Sequence, residues 1–428
     1  MRAQLSLSRP VEQSSSTRLH VLVRRFGNGY WVFYLAAFCM DFGFGLFIFL
    51  FNLYLTDIHF DERAIGRILA CFTLGNVVGT IPGMMVTRRY GLRMLLLFTF
   101  SVVPVLSAMR VWIVWEPAQY ALAFATGAAL CGWPICFSPV IAQLTNSGNR
   151  TAGFSFAFAT GIGLGTLAGA AGGYIPEILA KSRLHLSLVS GIQIVLLFAC
   201  VVVAMGLWPL SRLELKRPKE SARIRVRVIH PYLLRFLPAF LLWNVATGSF
   251  PMFGAVYLQK ALGISLGRLG TVFAVSQLMQ FVAVLCSPLL LKRLGKAGGV
   301  AAAQLGTAGF LVCIASARAL PVALGCYVLY FAAQFMCGPG IYQMLMEHVP
   351  EAERSSASAL QNLCGALCQA GAAALTGMCI VAYGYHALMF ANAGVAVIAA
   401  LLFVWLGAES SCEQTSLGRD GISQGAAE

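Results

Sequence analysis

About twelve apolar stretches, each about 20 residues long, follow one another through the chain with only short polar breaks between them. They fall at roughly 30–55, 65–87, 92–114, 117–144, 151–175, 187–209, 233–259, 268–291, 297–317, 320–346, 355–382 and 386–407. A helix of that length crosses the ~30 Å of hydrocarbon in a bilayer. Lipid offers no hydrogen bonds to the backbone, so only helices or closed barrels span it, and runs this long and continuous are helical. A soluble globule is excluded: 59% of the 428 residues are hydrophobic and only 11% are charged, more apolar surface than one soluble domain can bury. The predicted fold is an all-α membrane protein with twelve transmembrane helices.

The charges report orientation. The net charge of +14 could suit nucleic acid, but the basic residues alternate from loop to loop. Arg2, Arg9, Arg18, Arg24 and Arg25 precede the first apolar stretch, and Arg88, Arg89 and Arg93 lie between the second and third. Arg150 lies between the fourth and fifth, and Lys292, Arg293 and Lys296 between the eighth and ninth. The central loop, RLELKRPKESARIRVRVIHPYLLR, holds eight more. On the other side, Arg63 is outnumbered by Asp57, Asp61 and Glu62. This pattern is the positive-inside rule, which places both termini in the cytoplasm of a multi-pass protein of the plasma (inner) membrane and speaks against a nucleic-acid partner. The segment before Tyr30 has no apolar core and no A-x-A site, so it reads as a basic tail rather than a signal peptide. The predicted organisation is a tail (1–29), a first bundle (30–209), a basic linker (210–232), a second bundle (233–407) and a polar, disordered tail (408–428). Twelve of the thirteen cysteines lie inside the predicted helices without metal-type spacing, so no metal or cofactor is expected. The sequon at Asn149 falls on the cytoplasmic side and is discounted.

The two bundles match at a constant offset. Asp41, Gly45, Tyr54 and Leu55 correspond to Asn244, Gly248, Tyr257 and Leu258, 203 positions on. Gly66, Ala70, Arg89, Gly91, Arg150 and Gly161 correspond to Gly270, Ala274, Arg293, Gly295, Arg354 and Gly365, 204 positions on. A duplication into two parallel repeats predicts a site at their interface, near the bilayer midplane. Six helices plus six, a long basic central loop, and the turn MMVTRRYGLR (84–93) with its fainter copy LLLKRLGKAG resemble the major facilitator superfamily. Arg89, Gly91 and Arg93 match the family's turn motif, whereas Arg88 stands where the family has Asp. The resemblance implies a cytoplasmic gate at Arg88, Arg89, Gly91, Arg93, Arg150, Arg293, Gly295 and Arg354, with Glu347, Glu351 and Glu353 as candidate partners. Helix 5, GIGLGTLAGAAGG, resembles that of the family's exporters, although Gly169 is followed by Ala170 rather than Pro. Ala123 stands where family antiporters carry an Arg, four residues before Gly127.

Asp41, within FCMDFGFGLFIF, lies near the midplane, where a charge costs ~2.5–3.5 kcal/mol unless it faces a polar cavity. A carboxyl there can load a proton on one side and release it on the other, hold a cationic substrate group, or make a structural hydrogen bond. Asn52, Trp243, Asn244, Gln277, Gln280, Tyr330, Gln334, Gln361 and Asn362 are the other candidates for a substrate and coupling site, although such amides also join helices. Arg110, near the outer end of helix 3, is expected to snorkel to water. Prolines within the spans predict kinks, and CGWPICFSP and MCGPG occupy matching places in helices 4 and 10. Neither a phosphate-cradling loop nor a catalytic motif occurs, so an enzyme or ATP-driven pump is not expected. The resemblance implies a secondary transporter of small organic solutes, with proton-coupled export as the first expectation; the sequence shows no sign of obligate oligomerisation, so a monomer is expected. Proton-coupled uptake of a sugar, amino acid or organic acid is the second, and a non-transporting receptor or assembly factor the third.

Overall fold

The computed structural model describes residues 26–146, 149–181, 187–215, 231–350 and 354–425. Twelve helices cross from one end of the molecule to the other: α1 (Asn28–Asp57), α2 (Glu62–Tyr90), α3 (Leu92–Trp112), α4 (Glu116–Leu144), α5 (Arg150–Lys181), α6 (Leu188–Ser211), α7 (Tyr232–Lys260), α8 (Leu266–Leu294), α9 (Lys296–Ser316), α10 (Leu320–His348), α11 (354–383) and α12 (385–425). Among the described residues ten stretches meet the length and apolarity of a membrane span. The last of these holds both α11 and α12, divided by Gly384, and the glycine-rich α5 adds the twelfth helix. Side chains such as Ile81, Leu167, Leu289 and Leu401 are exposed on the outside of the bundle, as lipid-facing residues must be. The backbone of α12 stays helical to Gly425, whereas the polar composition beyond Gly407 predicts an unstructured tail. Its Glu, Gln and Ala residues are compatible with continuing a helix already nucleated in the bundle.

The duplication extends to backbone detail. The turn after α2 places Gly91 at φ +89°, and the turn after α8 places Gly295 at φ +72°, 204 positions later. Glycine adopts this conformation without the Cβ clash that other residues suffer, which is why the turn motif keeps it in both halves. After α1, His59 has φ +70°, and its repeat mate Gly263 has φ +63°. Not every proline kinks its helix. Pro82, Pro104 and Pro288 stay inside continuous helices, whereas the breaks in α4, α7 and α10 fall at Cys131, Ser249 and Cys337. Pro134, Pro251 and Pro339 then lie in the first turn of the following segment, where a missing N–H costs nothing.

The halves meet at the end away from the basic turns, hereafter the far end. Gly66 of α2 packs on Gly377 of α11, where a Cβ on Gly66 would meet the Ala373 carbonyl oxygen at 2.6 Å. Gly173 of α5 packs on Gly270 of α8, where a Cβ on Gly173 would meet the Leu266 oxygen at 2.7 Å. Gly270 is 204 positions after Gly66, and Gly377 is 204 after Gly173, so these are two copies of one contact. Polar groups close the same end. Glu62 accepts from Lys260 Nζ at 2.8 Å and from the Tyr385 hydroxyl at 3.2 Å. Asp57 accepts from Gln259 at 3.1 Å, and Glu177 accepts the Gly267 N–H at the start of α8 at 2.7 Å. Tyr174 and Thr271 share a hydrogen bond of 2.8 Å, and Phe49 packs on Phe273 with ring centroids 4.9 Å apart.

Arg110 does not reach water. It is 5% exposed, with its guanidinium 4.2 Å from the centroid of the Phe51 ring. Gln119 donates to the carbonyls of Arg110 and Ile113, both at 2.6 Å, and holds the end of α3 against the start of α4. Packing at that corner turns the cation inward onto an aromatic face, a stable alternative to snorkelling.

Candidate functional site

Among the described residues, two of the cavities formed lie within the helix bundle. One, of about 540 Å³, is lined by Met40, Asp41, Phe44, Gly45 and Ile48 of α1, by Trp133, Pro134, Phe137 and Ser138 of α4, by Ala157, Gly161, Ile162 and Gly165 of α5, and by Gln277 of α8. The other, of about 580 Å³, is lined by α7, α10 and α11, with Trp243, Asn244, Thr247, Gln334, Tyr342, Asn362, Gly365 and Gln369 on its wall. They are repeat mates. Asp41 and Asn244, Phe44 and Thr247, and Ile48 and Pro251 differ by 203 positions; Phe137 and Ile341, Gly161 and Gly365, and Gly165 and Gln369 differ by 204. The repeat therefore sets them at the same depth, one in each half, and Gln277 carries the second half into the wall of the first cavity.

The local chemistry is repeated with one change. A Cβ on Gly161 would lie 3.2 Å from Asp41 Oδ2, and a Cβ on Gly365 would lie 3.1 Å from Asn244 Oδ1. In each half a glycine leaves room beside the polar group of the first helix. Asn244 is tied down: its amide donates to the Phe240 carbonyl at 2.8 Å, and its oxygen accepts from Gln369 at 2.9 Å. Asp41 has no hydrogen-bond partner among the described residues, and its carboxylate opens on the cavity. Among the described residues no Lys, Arg or His side chain lines either cavity.

The predicted substrate and coupling residues divide accordingly. Asp41 and Gln277 line the first cavity, and Trp243, Asn244, Gln334 and Asn362 line the second. Asn52 instead donates to the Met252 carbonyl at 3.4 Å, across the halves. Tyr330 is buried against Phe250, with centroids 5.6 Å apart, Gln361 is fully buried, and Gln280 lines neither cavity. Trp133, Phe137, Thr247 and Gln369 are wall residues the sequence did not single out. Gln369 was within reach, because it stands at the repeat position of Gly165 and one turn beyond Gly365.

The basic end carries no ion pair between the halves among the described residues. Arg88, Arg89 and Arg293 are exposed, with Arg89 5.3 Å from the Tyr90 ring centroid. Arg93 donates to the Ser211 carbonyl in its own half. Glu347, one candidate partner, pairs with Lys296 of its own half, while Glu351 and Glu353 lie outside the described residues. Arg150 and Arg354 begin α5 and α11 at matching places; their side chains also lie outside the described residues.

Solved structures share this architecture. The nucleoside transporter NupG superimposes with a TM-score of 0.69 at 14% identity, covering 89% of this chain and 99% of that one. A bacterial homolog of the human lysosomal transporter Spinster, inward-facing and unoccupied, gives 0.70 at 14%, covering 89% and 97%. The inward-open xylose transporter XylE from E. coli gives 0.68 at 16%, covering 87% and 94%. At these identities the likeness shows the fold. No curated protein matches the chain in sequence. The Major Facilitator Superfamily model matches residues 33–373, most of the chain. With twelve helices in two repeats around paired cavities, this multi-pass membrane protein is a transporter rather than an enzyme, and it belongs to the Major Facilitator Superfamily.

Proposed function

We propose that this chain is a proton-coupled secondary transporter that exports a small organic solute by alternating access, with Asp41 as the proton-carrying group. The observation that carries the proposal is a cavity holding a carboxylate without a described partner, between halves that are joined at the far end. Glycine contacts and hydrogen bonds join the halves at the far end, while the described residues of the basic end make no cross-half ion pair. By the positive-inside rule the basic end is cytoplasmic, so the joined far end faces outward and both termini lie on the cytoplasmic side of the plasma membrane. Solute enters from the cytoplasm, the halves rock until the far-end contacts part, and the carboxyl exchanges its proton on the other side. The basic turns at Gly91 and Gly295 then approach, so that their arginines act as a gate in the outward-facing state only. The protein works as a monomer, since each chain holds both halves of the site.

Proton-coupled uptake is the second possibility, supported by the amides of the second cavity, which suit a neutral polar solute. The test is metabolite exchange by the full chain in proteoliposomes under an imposed pH gradient. The expected result is solute movement opposite to proton flow, with the pH dependence abolished in Asp41→Asn. Movement in the same direction as protons selects uptake. Unchanged pH dependence in Asp41→Asn removes the coupling role, and solute binding without flux selects a receptor.

A further inference from the structure

We infer that the first cavity selects a lipophilic organic cation, an inference that rests on the carrier function proposed above and names its substrate class. Among the described residues Asp41 is the sole acidic or basic side chain on the wall of either cavity, so no lining cation offsets it or favours an anion. An ionised carboxylate removed from bulk water is costly without a counter-charge, and none of the described residues supplies one. A cation entering the cavity provides it. Phe44, Trp133 and Phe137 share the cavity wall with the carboxylate, and Trp133 and Phe137 are held edge-on to each other with centroids 5.3 Å apart. Aromatic faces attract a cation and shed little hydration on its approach, so they favour a large, weakly hydrated cation over ammonium or an alkali ion.

Two glycines make the room. At Gly161 and Gly165 a side chain would stand 3.2 Å from the Asp41 carboxylate and 2.9 Å from the Gln277 amide nitrogen. Their absence leaves both polar groups open to one ligand. The second cavity does not duplicate the preference, because Asn244 replaces the acid and Gln369 occupies its oxygen. Charge recognition therefore resides in the first half alone.

The test is equilibrium dialysis of labelled tetraphenylphosphonium against the purified full chain in detergent, with labelled tetraphenylborate, an anion of the same shape, dialysed separately because the two ions precipitate each other. The expected result is saturable binding of the phosphonium and no saturable binding of the borate. Asp41→Asn should weaken it at least about tenfold, and Asp41→Glu should restore part of the loss. Gly161→Ala, read in parallel, should weaken binding without removing the charge, which keeps the test open if the Asn variant fails to fold. Equal saturable binding of the anion, unchanged affinity in Asp41→Asn, or no saturable binding of the phosphonium overturns the assignment. Phosphonium binding without flux in proteoliposomes removes the carrier function and leaves the cation site. Flux of a neutral or anionic solute without phosphonium binding does the reverse.

Discussion

His59 shows what one residue can cost in a duplicated fold. It holds φ +70°, a region in which a side chain with a Cβ is strained by ~1–2 kcal/mol. The same turn in the second half uses Gly263 at φ +63°. The first half therefore carries a strain that the second avoids. Glycine at that place would release it, less the ~0.5–1 kcal/mol of backbone freedom that glycine loses on folding. His59→Gly should thus stabilise the protein by about 0.5–1 kcal/mol, read as a higher unfolding temperature of the detergent-purified chain. An equal or lower temperature would mean that the exposed imidazole earns its place by an interaction at the far end. Asp41 is the opposite case: its backbone is ordinary helix, and its cost is electrostatic, accepted because the carboxylate faces a cavity rather than lipid.

At the scale of elements, small residues decide how closely the halves approach. A Cβ on Gly377 would fall 2.1 Å from the Glu62 carbonyl oxygen, a backbone atom that cannot swing aside. Gly377→Ala should therefore push α2 and α11 apart and shift the population away from the state closed at the far end. Spin-label distances across that end should lengthen relative to the parent. Unchanged distances would show that α2 and α11 are not a hinge contact. Within the first half, a Cβ on Gly75 would stand 2.0 Å from the Phe124 oxygen, and one on Gly127 2.0 Å from the Phe72 oxygen, so α2 and α4 cross at the backbone. Gly75→Ala should cost at least ~1–3 kcal/mol by overpacking. Gly163→Ala, with nothing within 4 Å of the added carbon, should be neutral or stabilise by up to ~1 kcal/mol. The glycine run of α5 thus serves several purposes: Gly161 and Gly165 clear the cavity, Gly169 and Gly173 meet α8, and Gly163 touches nothing.

For the whole molecule the balance between states depends on the polar closure as well as on the glycines. Glu62 is 14% exposed at its side chain and receives hydrogen bonds from α7 and from the start of α12. Removing its charge leaves the shape and weakens that closure by about 1 kcal/mol, about fivefold in population. In Glu62→Gln, a thiol probe applied from outside should label a cysteine placed at Ser138, on the cavity wall, faster than in the parent with the same cysteine. Equal labelling rates would exclude Glu62 from the gate.

The number of helices, their order, their alternating sense and the division into two repeats were legible in the chain, because each depends on local properties. Run length measures the bilayer, and duplication leaves residues such as Gly91 and Gly295 at a fixed spacing. Asp41 was legible for the same reason, since any acid in an apolar run must be sheltered. Which amides share its surroundings was not, because a side chain's neighbours depend on how each helix is rotated about its axis and which helix packs beside it. Gln361 and Asn362 are adjacent in sequence, yet one is sealed in the core and the other faces the cavity. The far-end closure through Glu62, Lys260, Tyr385 and Glu177 joins residues from helices far apart in the chain. Only the packing of one half against the other decides such contacts, since they exist in one arrangement of the halves and not in another.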